Sequence, residues 1–197
     1  MNNITYRRAY PTEAAEIAKL INMASGGMID FLFHDLTTDL TTLEIITMAV
    51  ENQVGELSYR QIEVAIFEEM VVGIANSYSA TKHQITDSMK TFFPPDRLAV
   101  VREFYETSIE DSYYLNALAV LPEYRRQSIG KALISRIKKK GINLGFSDLS
   151  VIVWTDNTEA IIFYKNQSFR EVKSIPIIYH PLLPHSEGCI LMCCPLY

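Results

Sequence analysis

The sequence predicts an α/β domain in which helices cover a sheet, and three stretches carry that expectation. Tyr113 to Val120 is an apolar run of strand length that passes through a short loop into a periodic helix. Leu149 to Trp154 is a second continuous apolar run, of the kind found where a sheet is covered on both faces. Ile62 to Phe67 and Met70 to Tyr78 are β-rich runs split by Glu68-Glu69, which reads as a hairpin although its turn lacks glycine.

The other elements follow in order. Ile4 to Ala9 reads as a first strand. Pro11 suits the first turn of a helix and Glu13 favours its positive end. That helix carries Ala14, Ile17, Ala18 and Ile21 on one face and stops near Ser25-Gly26-Gly27. Met28 to His34 and Thr42 to Asn52 read as further helices, with a loop from Asp35 to Asp39 between them. Ser79 to Phe93 is polar and poorly periodic, which predicts a loop. Pro94-Pro95 then introduces a helix over Asp96 to Glu106.

The stretch between the central strand and its helix carries the chemistry. Proline stops the strand at Leu121-Pro122-Glu123, and a loop runs from Tyr124 to Ser128. The helix then shows Ile129, Leu133 and Ile137 four apart, on one face. Lys138-Lys139-Lys140 and Gly141 read as its basic end and stop. A helix start offers free N–H groups and the positive end of a dipole, so it attracts anions. Arg125, Arg126 and Lys131 add charge there, and Gly130 permits close approach. The physical reading is a pocket for a phosphate-bearing molecule.

The run LAVLPEYRRQSIGKAL resembles the acetyl-CoA loop of the GNAT superfamily of N-acetyltransferases. The family usually reads Arg/Gln-x-x-Gly-x-Gly/Ala after a strand ending in Leu-Ala-Val. Here Arg125 to Gly130 takes that place, with Ser128 where glycine is usual. If Ser128 needs a left-handed backbone it is strained; if not, its hydroxyl is free to donate to a phosphate. The run NTEAIIFYKNQSF resembles the family's second motif, with Asn157, Phe163-Tyr164 and Ser168-Phe169 in its places.

The resemblance implies a mixed, mostly antiparallel sheet of about six to seven strands flanked by helices, splayed between the fourth and fifth strands. One domain would span residues 1–197, and Arg170 to Tyr179 and Cys189 to Pro195 would be its last strands. It implies acetyl-CoA as co-substrate, held by Leu118, Ala119 and Val120, by Arg125, Arg126, Gln127, Ser128, Ile129, Gly130 and Lys131, and by Asn157 and Tyr164. One of Lys138 to Lys140 would reach the 3′-phosphate. Tyr164 would protonate the leaving thiolate, and the early helices would wall the acceptor pocket with Asp30, His34 and Asp35. The activity implied is acetyl transfer to a small-molecule or peptide amine by direct attack. The alternative is an inactive acyl-CoA sensor of the same fold. The positions where relatives place a glutamate base hold Tyr114 and Ile152, which leaves Asp111, Asp156, a residue of the early helices or an already neutral amine. The resemblance leaves room for a homodimer.

Composition narrows the partners. A formal charge of −5 argues against nucleic acid and favours a cationic acceptor. No apolar run reaches membrane-spanning length and the N-terminus carries no signal-peptide pattern, so no membrane partner is expected. Cys189, Cys193 and Cys194 lack paired spacings, which suits the cytoplasm. His180, His185, Cys189 and Cys193 do not match a zinc pattern, and no metal is expected.

Overall fold

The computed structural model describes residues 3–37 and 39–197. Thr38, inside the loop expected from Asp35 to Asp39, lies outside the described residues. One sheet holds seven strands: β1 (Thr5–Arg8), β2 (Ile62–Phe67), β3 (Met70–Ser79), β4 (Ser112–Val120), β5 (Asp148–Trp154), β6 (Arg170–Ile175) and β7 (Cys189–Pro195). Their spatial order is β1-β2-β3-β4-β5-β7-β6, antiparallel throughout except for β4 beside β5. This is the mixed sheet expected from the sequence.

Helices cover both faces. The first five are α1 (Ala14–Ser25), α2 (Met28–Phe33), α3 (Thr42–Glu51), α4 (Asp87–Phe92) and α5 (Pro95–Glu106). From these, Ile17 and Ile21 of α1 and Ile46 of α3 pack on Ile62, Val64 and Ile74, while Phe31 of α2 and Val101 of α5 join Trp154, Cys189 and Leu191. On the other face lie α6 (Ile129–Asn143) and α7 (Thr158–Lys165). Ile129, Leu133 and Ile137 of α6 and Tyr164 of α7 bury against Tyr113, Leu115, Val151 and Val153. Each such aliphatic side chain contributes about 1.5–3 kcal/mol by leaving water.

Several expectations need correction. The Ser79 to Phe93 stretch is not a plain loop: Ala80–Lys82 makes a 3-10 turn, and α4 follows because the Thr86 hydroxyl accepts from the Met89 N–H. Gly141 does not stop α6, which runs on to Asn143. A Cβ at Gly141 would stand 2.8 Å from Leu196 Cδ1 and 3.4 Å from Tyr113, so the glycine serves helix–sheet approach. The penultimate strand ends at Ile175, where Pro176 cannot continue the ladder. The hairpin turn works without glycine because Glu68 and Glu69 both take left-handed backbone, φ 47° and 70°.

The feature that positions the site is the parting of β4 from β5. Their parallel ladder runs only from Ser112↔Asp148 to Leu115↔Val151. The closed end is sealed by the Ser112 and Ser150 hydroxyls, 2.7 Å apart. Beyond Leu115, β4 bulges. Asn76 of β3 opposes Ala117 while Ser77 opposes Leu115, so Asn116 is an extra residue. Its side chain is held firmly: Asn116 Nδ2 donates to Asn76 Oδ1 at 2.9 Å, and the Tyr78 hydroxyl donates to Asn116 Oδ1 at 3.0 Å. Asn76 is fully buried and donates on to the Glu56 carbonyl. Asn116→Ala would orphan the buried Asn76 amide oxygen and the Tyr78 hydroxyl. It should cost about 2 kcal/mol, read as a lowered urea midpoint at unchanged slope.

Candidate active site

Where β4 and β5 part, the β5-facing edge of β4 from Asn116 to Val120 has no strand partner. Leu118, Ala119 and Val120 lie on it, at the mouth that opens toward the start of α6. The Val120 carbonyl is not bare, because Arg125 Nε donates to it at 3.1 Å. The Arg125 guanidinium also reaches Met23 Sδ at 3.6 Å, bridging α1 and the loop. A ligand arm adding itself to this edge must turn Arg125 aside, which frees its charge.

The loop before α6 is a 3-10 turn (Pro122–Tyr124) followed by two left-handed residues, Arg126 at φ 60° and Ser128 at φ 63°. Ser128 therefore occupies the conformation in which a side chain is strained, and it caps no amide. Backbone of this kind gathers successive N–H groups into an anion cradle. The first α6 amide to meet a carbonyl is that of Ala132, which bonds Ser128 O, so the amides of Ile129, Gly130 and Lys131 have no helical partner. Arg126, Gln127, Ser128 and Lys131 are exposed around them. These donors fit a pyrophosphate. Gly130 also has a packing use: a Cβ there would meet the Phe163 ring at 3.3 Å, so this glycine lets α7 approach α6.

The lysine run lies in the later part of α6. At 1.5 Å per residue Lys138 stands roughly 14 Å beyond Ile129. Lys138 Nζ donates to the Gln167 carbonyl at 2.8 Å, and Lys140 sits over the Tyr113 ring. Asn157 caps α7, its Oδ1 accepting from the Ala160 N–H at 3.1 Å. Tyr164 is buried against Phe163 and Phe169, and burial pushes its phenol up. Its hydroxyl makes no hydrogen bond among the described residues and acts electrostatically on Tyr114 across the sheet.

The opposite face of the parted strands is aromatic. The Tyr114 ring lies 5.5 Å from Tyr78 and 4.2 Å from His83. Burial pushes the Tyr78 and Tyr114 phenols up and raises Tyr105 to about 12. His83 Nε2 lies 2.9 Å from the Phe104 carbonyl, while its Nδ1 is sealed without a partner. Trp154 closes the mouth, its Nε1 donating to the Ser25 carbonyl at 3.2 Å. A Cβ at Gly26, the left-handed end of α1, would stand 2.5 Å from Trp154 Nε1.

The remaining expected residues are scattered. Asp30 accepts from Asn22 Nδ2 at 3.1 Å, and His34 pairs with Asp35 at 2.9 Å, all three on the exposed side of α2 and its end. Asp111 precedes the closed end of β4, remote from the parting. Asp156 follows β5 at the open end and pairs with His185. Among the described residues no group of three or more His, Cys, Asp or Glu could hold a metal ion, and all three cysteines are free. Sequence reasoning missed Asn116, Tyr78 and His83. A lone asparagine inside YYLNALAV was the available signal.

A sheet parted after a four-residue parallel ladder, with a left-handed loop and a bare helix start at the opening, is the GNAT fold. Residues 91–169 match the acetyltransferase (GNAT) family. The chain is 31% identical over 86 residues to the [ribosomal protein bS18]-alanine N-acetyltransferase of Escherichia coli K12, a match covering 44% of this chain and 57% of that protein. It thus spans only 57% of the length of the curated relatives it matches. An N-acetyltransferase from Staphylococcus aureus Mu50 superposes with a TM-score of 0.70 at 20% identity, covering 96% of this chain and 100% of that one. The structure of yncA from Salmonella typhimurium with its cofactor acetyl-CoA superposes with a TM-score of 0.61 at 14% identity, covering 100% and 95%.

Two outcomes test this geometry. Ser128→Gly relieves a left-handed serine and should stabilise the chain by about 1 kcal/mol, seen as a higher Tm. Burial lowers His83 to about 4 from 6.5, partly offset by its bond to the Phe104 carbonyl. The unfolded chain therefore binds the extra proton between these values. Stability is full above pH 6.5 and falls by on the order of 3 kcal/mol as pH drops to about 4. Urea midpoints measured across that range should fall more steeply for the wild type than for His83→Phe.

Proposed function

We propose that the chain is one acetyl-CoA-binding domain over residues 1–197 that transfers an acetyl group to an amine, a small molecule or a protein amino terminus, in the cytoplasm. The observation that carries this reading is the unpaired edge of β4 opening beside the amides that start α6. The family match over residues 91–169 supports it, and the alanine-directed activity of the E. coli relative supports an amine acceptor.

Bound acetyl-CoA supplies an activated thioester carbonyl. The residues of this chain do the rest. Amides of Ile129, Gly130 and Lys131 hold the pyrophosphate at the helix start, with Arg125, Arg126, Gln127 and Ser128 around it. Leu118, Ala119 and Val120 offer backbone groups to the two amides of the pantetheine arm, as a strand would. An N–H of the same edge stabilises charge on the carbonyl oxygen. Asn157 fixes the start of α7, and so the place of Tyr164. Burial keeps the Tyr164 phenol protonated, the state in which it donates to the leaving sulfur. Asp30, His34 and Asp35, on the exposed side of α2 and its end, would meet the acceptor.

Calorimetry with acetyl-CoA and a screen of amines for thiol release test the reading. Binding with amine-dependent thiol release supports the enzyme. Binding without release from any amine supports the inactive sensor. Tyr164→Phe should leave acetyl-CoA affinity within about twofold and lower turnover about 10²-fold. Unchanged turnover would remove Tyr164 from the acid role.

A further inference from the structure

An attacking amine must give up a proton, and the groups nearest the parting do not take it. Burial keeps Tyr78, Tyr105, Tyr114 and Tyr164 protonated and raises the Cys189 thiol to about 12. The His83 lone pair at Nδ1 is sealed under aromatic rings. Ile152 has nothing to offer. A different imidazole stands at the open end, supplied by the loop between β6 and β7.

His185 Nδ1 lies 2.7 Å from Asp156 Oδ2. A carboxylate only accepts, so Nδ1 carries a hydrogen, and in the neutral imidazole Nε2 carries the lone pair. The ring stacks on Trp154 at 4.4 Å and 18° between planes, and Trp154 is itself tied to α1 through the Ser25 carbonyl. Four elements thus fix one imidazole: the end of α1, the end of β5, the turn before α7 and the β6–β7 loop. Nε2 makes no hydrogen bond among the described residues and is not sealed from solvent; the side chain is 20% exposed. It faces Gly26, where any side chain would displace it, since a Cβ would come within 2.7 Å of Nε2. A base held by an orienting acid, its other nitrogen unpaired just past the parted end of β5, is the arrangement general-base catalysis needs.

We propose that His185, oriented by Asp156, accepts the proton of the acceptor amine, directly or through one water. The inference rests on the acyl-transfer reading. As the amine nitrogen bonds to the thioester carbon, its proton passes to His185 Nε2. The carbon–sulfur bond breaks, and sulfur takes the Tyr164 proton. Return of the proton from His185 to Tyr164 through solvent leaves an amide and free CoA. Among the described residues, the charged group paired with His185 is Asp156. Cys189 feels that carboxylate but stays a thiol, and Trp154, Ser25 and Gly26 bring no charge.

The test is thiol release from acetyl-CoA with a hexapeptide beginning in alanine, from pH 6 to 9, alongside acetyl-CoA calorimetry. His185→Gln should bind acetyl-CoA as the wild type does and lower kcat about 10²-fold at pH 7. The deficit should shrink as pH rises, because hydroxide from solution then takes the proton in place of His185. His185→Asn should behave alike. Asp156→Asn should lower kcat less than His185→Gln does, and Asp156→Glu should restore most of the rate. Thiol release by a folded, acetyl-CoA-binding His185→Gln chain at the wild-type rate and with the wild-type pH profile overturns the proposal, whether that rate is high or nil. A wild-type chain that binds no acetyl-CoA overturns the acyl-transfer reading beneath it.

Discussion

The rest of the structure depends on a ladder that stops. β4 and β5 pair over four residues and then separate, although both continue for several more. Leaving backbone groups unpaired at the centre of a sheet is costly unless something forces and sustains it. The forcing element is the extra residue at Asn116, which turns β4 and shifts its side-chain alternation by one. Tyr113 and Leu115 therefore face α6 before the bulge, and Leu118 and Val120 face it after. The sustaining element is the run of hydrogen bonds from Tyr78 through Asn116 and Asn76 to the Glu56 carbonyl. β5 does not drift in turn, because its outer edge is paired with β7 along its whole length, Asp148↔Pro195 to Trp154↔Cys189. One strand is bent and the other is anchored, so the gap is a fixed feature of the fold.

The opening of that gap stores strain in backbone where glycine would be at ease. Arg126 and Ser128 before α6 and Ser168 after α7 all adopt left-handed backbone. Each costs on the order of 1–2 kcal/mol relative to glycine. The two helices they border are tied by Phe163 against Gly130 and by Lys138 on the Gln167 carbonyl. The packing of α6 and α7 on the sheet holds these loops in conformations they would not choose alone, as expected where pre-organised amides matter more than local ease.

Sequence alone exposes whatever is written locally. The four-residue spacing of Ile129, Leu133 and Ile137 reports the buried face of α6, and the unbroken apolar run of β5 reports burial on both sides. The consequence of Ser128 was legible only as a condition, and its φ of 63° decides it. What stays hidden is whatever needs a partner far along the chain. Asn116 looks like a flaw in an apolar strand until Asn76 and Tyr78, 40 and 38 residues earlier, meet it. His185 and Asp156 are 29 residues apart, and nothing in their flanks announces the contact. Gly141 misleads for a related reason: near the end of a helix a glycine reads as a stop, and only Tyr113 and Leu196 reveal it as a packing site.

The same parting explains how one small site can manage two protons. Tyr164 belongs to the α6 and α7 face and His185 to the opposite one. In a closed sheet the backbone would separate them. Where the strands part, groups from both faces would address one line of reacting atoms in the proposed transfer. Their environments would then divide the labour: the buried Tyr164 phenol would keep its proton until a thiolate forms, and the imidazole held by Asp156 would present a lone pair. A carboxylate on β4 itself would have to share the aromatic wall of Tyr78, His83 and Tyr114, where burial penalises charge. Placing the His185–Asp156 pair just past the end of β5 avoids that penalty while keeping it at the parted end of the sheet.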